Sequence, residues 1–128
     1  MHSRQDDVLS CLRATSYGDW ESLGRLAELD SLRLHGVTMS TGPEHALVAW
    51  EPENISLFHM CHQLREQGVP VYFSTDTGPT TVFLTHADYQ HEVMERISTL
   101  KLGVNIISGR VAGPATLLAA EDEEAAGL

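Results

Sequence analysis

A chain of 128 residues, 42% of them apolar, is long enough to bury the core of one domain. It carries 18 acidic against 8 basic side chains, a formal charge of −10, which argues against nucleic acid as a partner because such binding rests on neutralising phosphates. No apolar run reaches membrane-spanning length and no signal-peptide pattern opens the sequence, so a cytoplasmic protein without a membrane partner is expected.

In chain order, the spacing predicts a short helix over Val8–Thr15, broken by Tyr17 and Gly18. Asp19 suits the N-cap of a second helix reaching Val37 or Thr38, with Trp20, Leu23, Ala27 and Leu34 facing the core. Gly42 and Pro43 end that segment, and His45–Trp50 reads as a strand. Pro52 and Glu53 open a third helix with Leu57, Phe58, Cys61 and Leu64 as its buried stripe and Gly68 at its C′ position. Strands follow at Val69–Ser74 and Thr81–Thr85. Thr85 and Asp88 resemble a capping box for a helix whose inner face is Tyr89, Val93, Ile97 and Leu100. Gly103 ends it, and Val104–Val111 reads as a last strand. The expected class is α+β: a ferredoxin-like split βαβ antiparallel sheet with additional N-terminal helices. Residues 1–118 form the domain, and 119–128, with Glu121–Glu124 an unbroken acidic run, form a disordered tail.

The candidate chemistry sits between the two central strands. In Ser74-Thr75-Asp76-Thr77-Gly78-Pro79-Thr80, Asp76 lies on a tight connection, where Gly78 accepts a positive φ and Pro79 fixes its own. A carboxylate there is either aimed at a ligand or turned back to cap the turn. Ser31, His35 and Thr38 share one helix face, either a polar stripe lining a pocket or a solvated surface. Arg110 is either a phosphate partner or a surface arginine. Cys11 and Cys61 read as free thiols. His59 and His62 share a helix face near Cys61, but no third ligand is placed by the sequence, so no metal site is assigned.

Three stretches carry a resemblance. They are Gly18–Leu23 followed by Glu28–His35, then Tyr72–Thr80, then Val111-Ala112-Gly113-Pro114-Ala115. In that order they resemble the C-terminal part of the diphosphomevalonate decarboxylases, of the GHMP kinase superfamily: a helix ending in Asn/Asp-Ser-x-x-x-His-Ala, an Asp-Ala-Gly-Pro-Asn turn and a Gly-Pro-Gly-Pro segment. Thr77, Thr80 and Gly36 depart from the usual Ala, Asn and Ala. The resemblance implies the C-terminal domain of an ATP-dependent lyase of isoprenoid biosynthesis, with Asp76 as catalytic carboxylate and Ser31, His35, Gly78 and Thr80 as substrate-binding residues. It implies ATP and Mg²⁺ in the full-length enzyme and a small phosphorylated mevalonate-type substrate. A related enzyme acting on a different mevalonate phosphate fits nearly as well. No phosphate-cradling glycine loop occurs in the sequence, so the chain alone is expected to bind no cofactor and to be inactive without an N-terminal ATP-binding domain or partner subunit. The alternatives are a stand-alone, non-catalytic module that binds a small anion or a partner protein, and a homodimeric assembly domain.

Overall fold

The computed structural model describes residues 4–117. Helix α1 (Arg4–Tyr17) runs longer than its apolar pattern and leads through Gly18, at φ +67°, into α2 (Trp20–Met39). Asp19 caps α2 as expected: the Ser22 N–H donates to Asp19 Oδ1 at 3.1 Å and the Ser22 hydroxyl to Oδ2 at 2.7 Å. These hydrogen bonds, the hydroxyl's first, hold the Asp19 carboxyl below its ordinary range. Arg33 of α2 pairs with Asp7 of α1, and Ala14 is buried between the helices.

Helix α3 (Pro52–Glu66) ends at Gln67, and Gly68 takes φ +89° one residue on, as expected of a C′ glycine. Strand β1 (Val71–Thr75) pairs antiparallel with β2 (Thr81–Thr85), Phe73 opposite Phe83. A 3₁₀ turn (Ala87–Tyr89) opens α4 (Gln90–Thr99). The turn is capped by His86, whose Nδ1 accepts from the Asp88 N–H at 3.4 Å. The capping box expected at Thr85 is absent, because Thr85 Oγ1 donates instead to the Pro70 carbonyl at 2.8 Å.

Alternation along β1 sorts its side chains. Val71 and Phe73 enter the main core with Leu57, Phe58, Met60, Cys61 and Leu64 of α3 and Val93 and Ile97 of α4. Phe58 stacks on Phe73 with ring centroids 4.1 Å apart. Tyr72 points the other way, onto α2 at Gly24. A Cβ at Gly24 would overlap the Tyr72 ring, so Gly24→Ala is expected to cost about 1–3 kcal/mol, measured by urea unfolding. Wild-type stability in that variant would mean the ring moves aside freely.

The α+β class holds, and the described residues form two of the four expected strands. His45–Trp50 is irregular because its backbone is used elsewhere: the Leu47 N–H donates to the Thr38 carbonyl at 3.0 Å, closing the end of α2. Residues 104–111 likewise form no ladder among the described residues, although Ile106 packs against the core. Lys101 and Gly103 turn the chain there with φ of +52° and +68°. The expected acidic tail lies outside the described residues.

Of the stripe expected on α2, Trp20, Leu23 and Ala27 are half-buried and Leu34 is exposed, and the fully buried positions are others. Gly24, Glu28, Ser31 and His35 are buried, whereas Leu29, Leu32, Leu34 and Val37 are exposed. A polar face is buried here because it serves the outer edge of β1. The Phe73 N–H donates to Glu28 Oε1 at 3.0 Å, and the Thr75 N–H donates to Ser31 Oγ at 3.1 Å. Arg65 of α3 pairs with the same Glu28 oxygen and donates to the Val71 carbonyl at 2.9 Å. Cys61 Sγ donates to that carbonyl at 3.3 Å, and burial pushes this free thiol up to about 12.

Candidate functional site

Register places Asp76 directly after the last paired residue of β1, on a loop, residues 76–80, that returns to β2 at Thr81. Asp76, Thr77, Pro79 and Thr80 are exposed and Gly78 is half-buried. Among the described residues, no hydrogen bond or ion pair holds the Asp76 side chain, which sets aside the turn-capping alternative. Gly78 does not adopt the positive φ expected of it. A five-residue loop closes without a left-handed residue at that position.

Two helices hold the loop's stems. On the β1 side, Ser31 Oγ accepts from the Thr75 N–H and lies 3.3 Å from Ser74 Oγ. On the β2 side, Asn54 Nδ2 donates to the Pro79 carbonyl at 2.6 Å and to Thr81 Oγ1 at 2.9 Å. Of the expected site residues, Ser31 therefore meets the β1 stem of the Asp76 loop, and Asp76, Gly78 and Thr80 lie on the loop itself. The Ser31 and His35 face of α2 is not solvated. His35 is only 2% exposed, its ring 4.6 Å from that of Trp50. Its Nε2 and Trp50 Nε1 are both buried without a hydrogen-bond partner among the described residues.

Asn54 was not legible as a site residue. The available signal was Glu51-Pro52-Glu53-Asn54, a helix start with a short amide at its third position. Arg110 is exposed. His59 and His62 are exposed while Cys61 is fully buried, so the three do not converge. Among the described residues no group of three or more His, Cys, Asp or Glu is placed to hold a metal ion, and no helix is long and apolar enough to cross a membrane.

The arrangement defines an α+β domain that presents one unpartnered carboxylate at a hairpin tip clamped from two helices. No family model matches the chain. The phosphomevalonate decarboxylase of Haloferax volcanii is 39% identical over 119 residues, which cover 92% of this chain and 35% of that protein. The mevalonate diphosphate decarboxylase of Staphylococcus aureus superposes with a TM-score of 0.69 at 24% identity, covering 74% of this chain and 28% of that one. The Enterococcus faecalis mevalonate diphosphate decarboxylase superposes with a TM-score of 0.68 at 26% identity, over 74% of this chain and 29% of that one. Another solved structure, also 26% identical with a TM-score of 0.68, is a complex with MVAPP, AMPPCP and magnesium. The chain is similar to part of a phosphomevalonate decarboxylase, and its fold is that of the C-terminal domain of the mevalonate diphosphate decarboxylases. It spans about a third of the length of the curated relative it matches.

Proposed function

We propose that this chain is the part of an ATP-dependent mevalonate-phosphate decarboxylase that carries the catalytic carboxylate, Asp76. The supporting observation is that carboxylate itself: exposed, without a hydrogen bond or ion pair among the described residues, and mounted on a loop held from both stems. A free, fixed carboxylate can accept the proton of a substrate tertiary hydroxyl as that oxygen attacks a phosphoryl group. Loss of the new phosphate and of carbon dioxide then forms the carbon–carbon double bond. Thr80 and the Gly78 backbone lie on the same loop and face the substrate beside Asp76. Ser31 contributes by fixing the Thr75 N–H, and His35 lies one helical turn further along the same buried face of α2.

The described residues contain neither a glycine-rich phosphate loop nor a group of three or more His, Cys, Asp or Glu placed to hold a metal ion, so they offer no cradle for the nucleotide. Binding of the nucleotide and its metal is assigned to an ATP-binding part beyond this chain. The exposed apolar row on α1 and α2, with Val8, Leu12, Leu29 and Leu32, suits a surface covered by further protein.

The 39% identity to a phosphomevalonate decarboxylase favours the monophosphate as substrate. The test supplies the full-length protein with ATP and Mg²⁺ and compares carbon dioxide release from mevalonate 5-phosphate and from its 5-diphosphate. The expected result is a kcat/KM at least about tenfold higher for the monophosphate, a difference of about 1.4 kcal/mol. A preference for the diphosphate would overturn the substrate assignment. No release from either would overturn the enzyme reading in favour of a non-catalytic binding module.

A further inference from the structure

We infer that Asn54 is a positioning residue for Asp76, setting the conformation of the 76–80 loop from the first turn of α3. The inference rests on the reading of Asp76 as the reacting carboxylate. The loop has little of its own to hold it: most of it is exposed and Gly78 makes no left-handed turn. Its anchors lie outside it, and on the β2 side both come from one amide. Asn54 is 1% exposed. Its Oδ1 accepts from the Glu51 N–H at 2.8 Å, while its Nδ2 spends both hydrogens, on the Pro79 carbonyl and on Thr81 Oγ1.

This pattern fixes the orientation of the amide. Turned over, it would set Nδ2 against an N–H and Oδ1 against a carbonyl, losing at least two hydrogen bonds in a buried place. It also restricts the residue type. Aspartate retains the acceptor for Glu51 but has no hydrogen to give Pro79 or Thr81. Alanine retains neither. One side chain thus joins the start of a helix to the loop that carries the carboxylate, three residues beyond it.

The test uses the full-length protein with Asn54→Asp. A carboxylate at this position still caps the Glu51 N–H and suits a helix N-terminus, so α3 is retained while the hold on the Pro79 carbonyl is lost. Amide exchange over residues 76–80 is expected to accelerate by about tenfold, the equivalent of one lost hydrogen bond. Turnover is expected to fall by about 10–100-fold with the KM for ATP little changed, because misplacing a reacting group costs rate more than binding. Thr81→Val, which removes one of the two acceptors, is expected to give a smaller change in the same direction and serves if Asn54→Asp does not fold. Unchanged exchange at 76–80 in both variants would overturn the clamp. Faster exchange with wild-type turnover would overturn the positioning role. Wild-type turnover in Asp76→Asn is a separate failure: it would overturn the catalytic reading and leave the exchange result standing.

Discussion

Asp76→Asn is expected to lower the turnover of the full-length protein by about 10²–10⁴-fold, the range for loss of a positioned general base. The amide keeps the shape and one acceptor oxygen but loses the basicity and the charge. Stability is expected to stay within about 0.5 kcal/mol of wild type, because the side chain is exposed and makes no hydrogen bond or ion pair among the described residues. The informative readout is the pair of results. Lost turnover with an unchanged unfolding midpoint assigns the loss to chemistry. Retained turnover would remove Asp76 from the mechanism and leave the hairpin tip a structural turn.

The second large effect is on stability. Glu28 is a buried carboxylate meeting Arg65, the Phe73 N–H and the Cys61 thiol. The side chains of Glu28 and Arg65 are 12% and 22% exposed. Glu28→Ala leaves the guanidinium without its counter-charge and the Phe73 N–H without an acceptor. Breaking a buried pair in this way costs about 3–5 kcal/mol, a large fraction of the stability of a domain this size. Glu28→Gln retains an acceptor and is expected to cost less, about 1–3 kcal/mol. Urea unfolding followed by circular dichroism separates the two. Equal, small losses in both variants would show that water satisfies Arg65, and that the network contributes little.

Much of this fold is legible in local patterns. The stripe of Leu57, Phe58, Cys61 and Leu64, the Asp19 cap, Gly68 at C′ and the Val93–Ile97 face follow from helix geometry and neighbouring residues alone. Asp76 stood out for a related reason, since turn chemistry is written in consecutive residues. What was not legible depends on distant partners. The burial of Glu28 is possible only because Arg65 lies across from it, 37 positions along the chain. Ser31 and Asn54 are ordinary helix residues until β1 and β2 arrive beside them. The expected strands at His45–Trp50 and Val104–Val111 failed for the converse reason. Their β-prone residues were present, but a strand also needs a ladder partner, and Leu47 had given its N–H to α2.

The side-chain sealing of β1 makes the sheet one-sided. A strand approaching from the β1 side would have to displace Glu28 from the Phe73 N–H, Ser31 from the Thr75 N–H, and Arg65 and Cys61 from the Val71 carbonyl. Such an approach would break the ion pair and loosen the mounting of Asp76 at the same time. Among the described residues no side chain is hydrogen-bonded to the outer edge of β2, and the run Thr81–Thr85 carries neither charge nor proline to repel a neighbour. Any extension of this sheet therefore proceeds past β2 alone, and the edge beside the carboxylate stays closed.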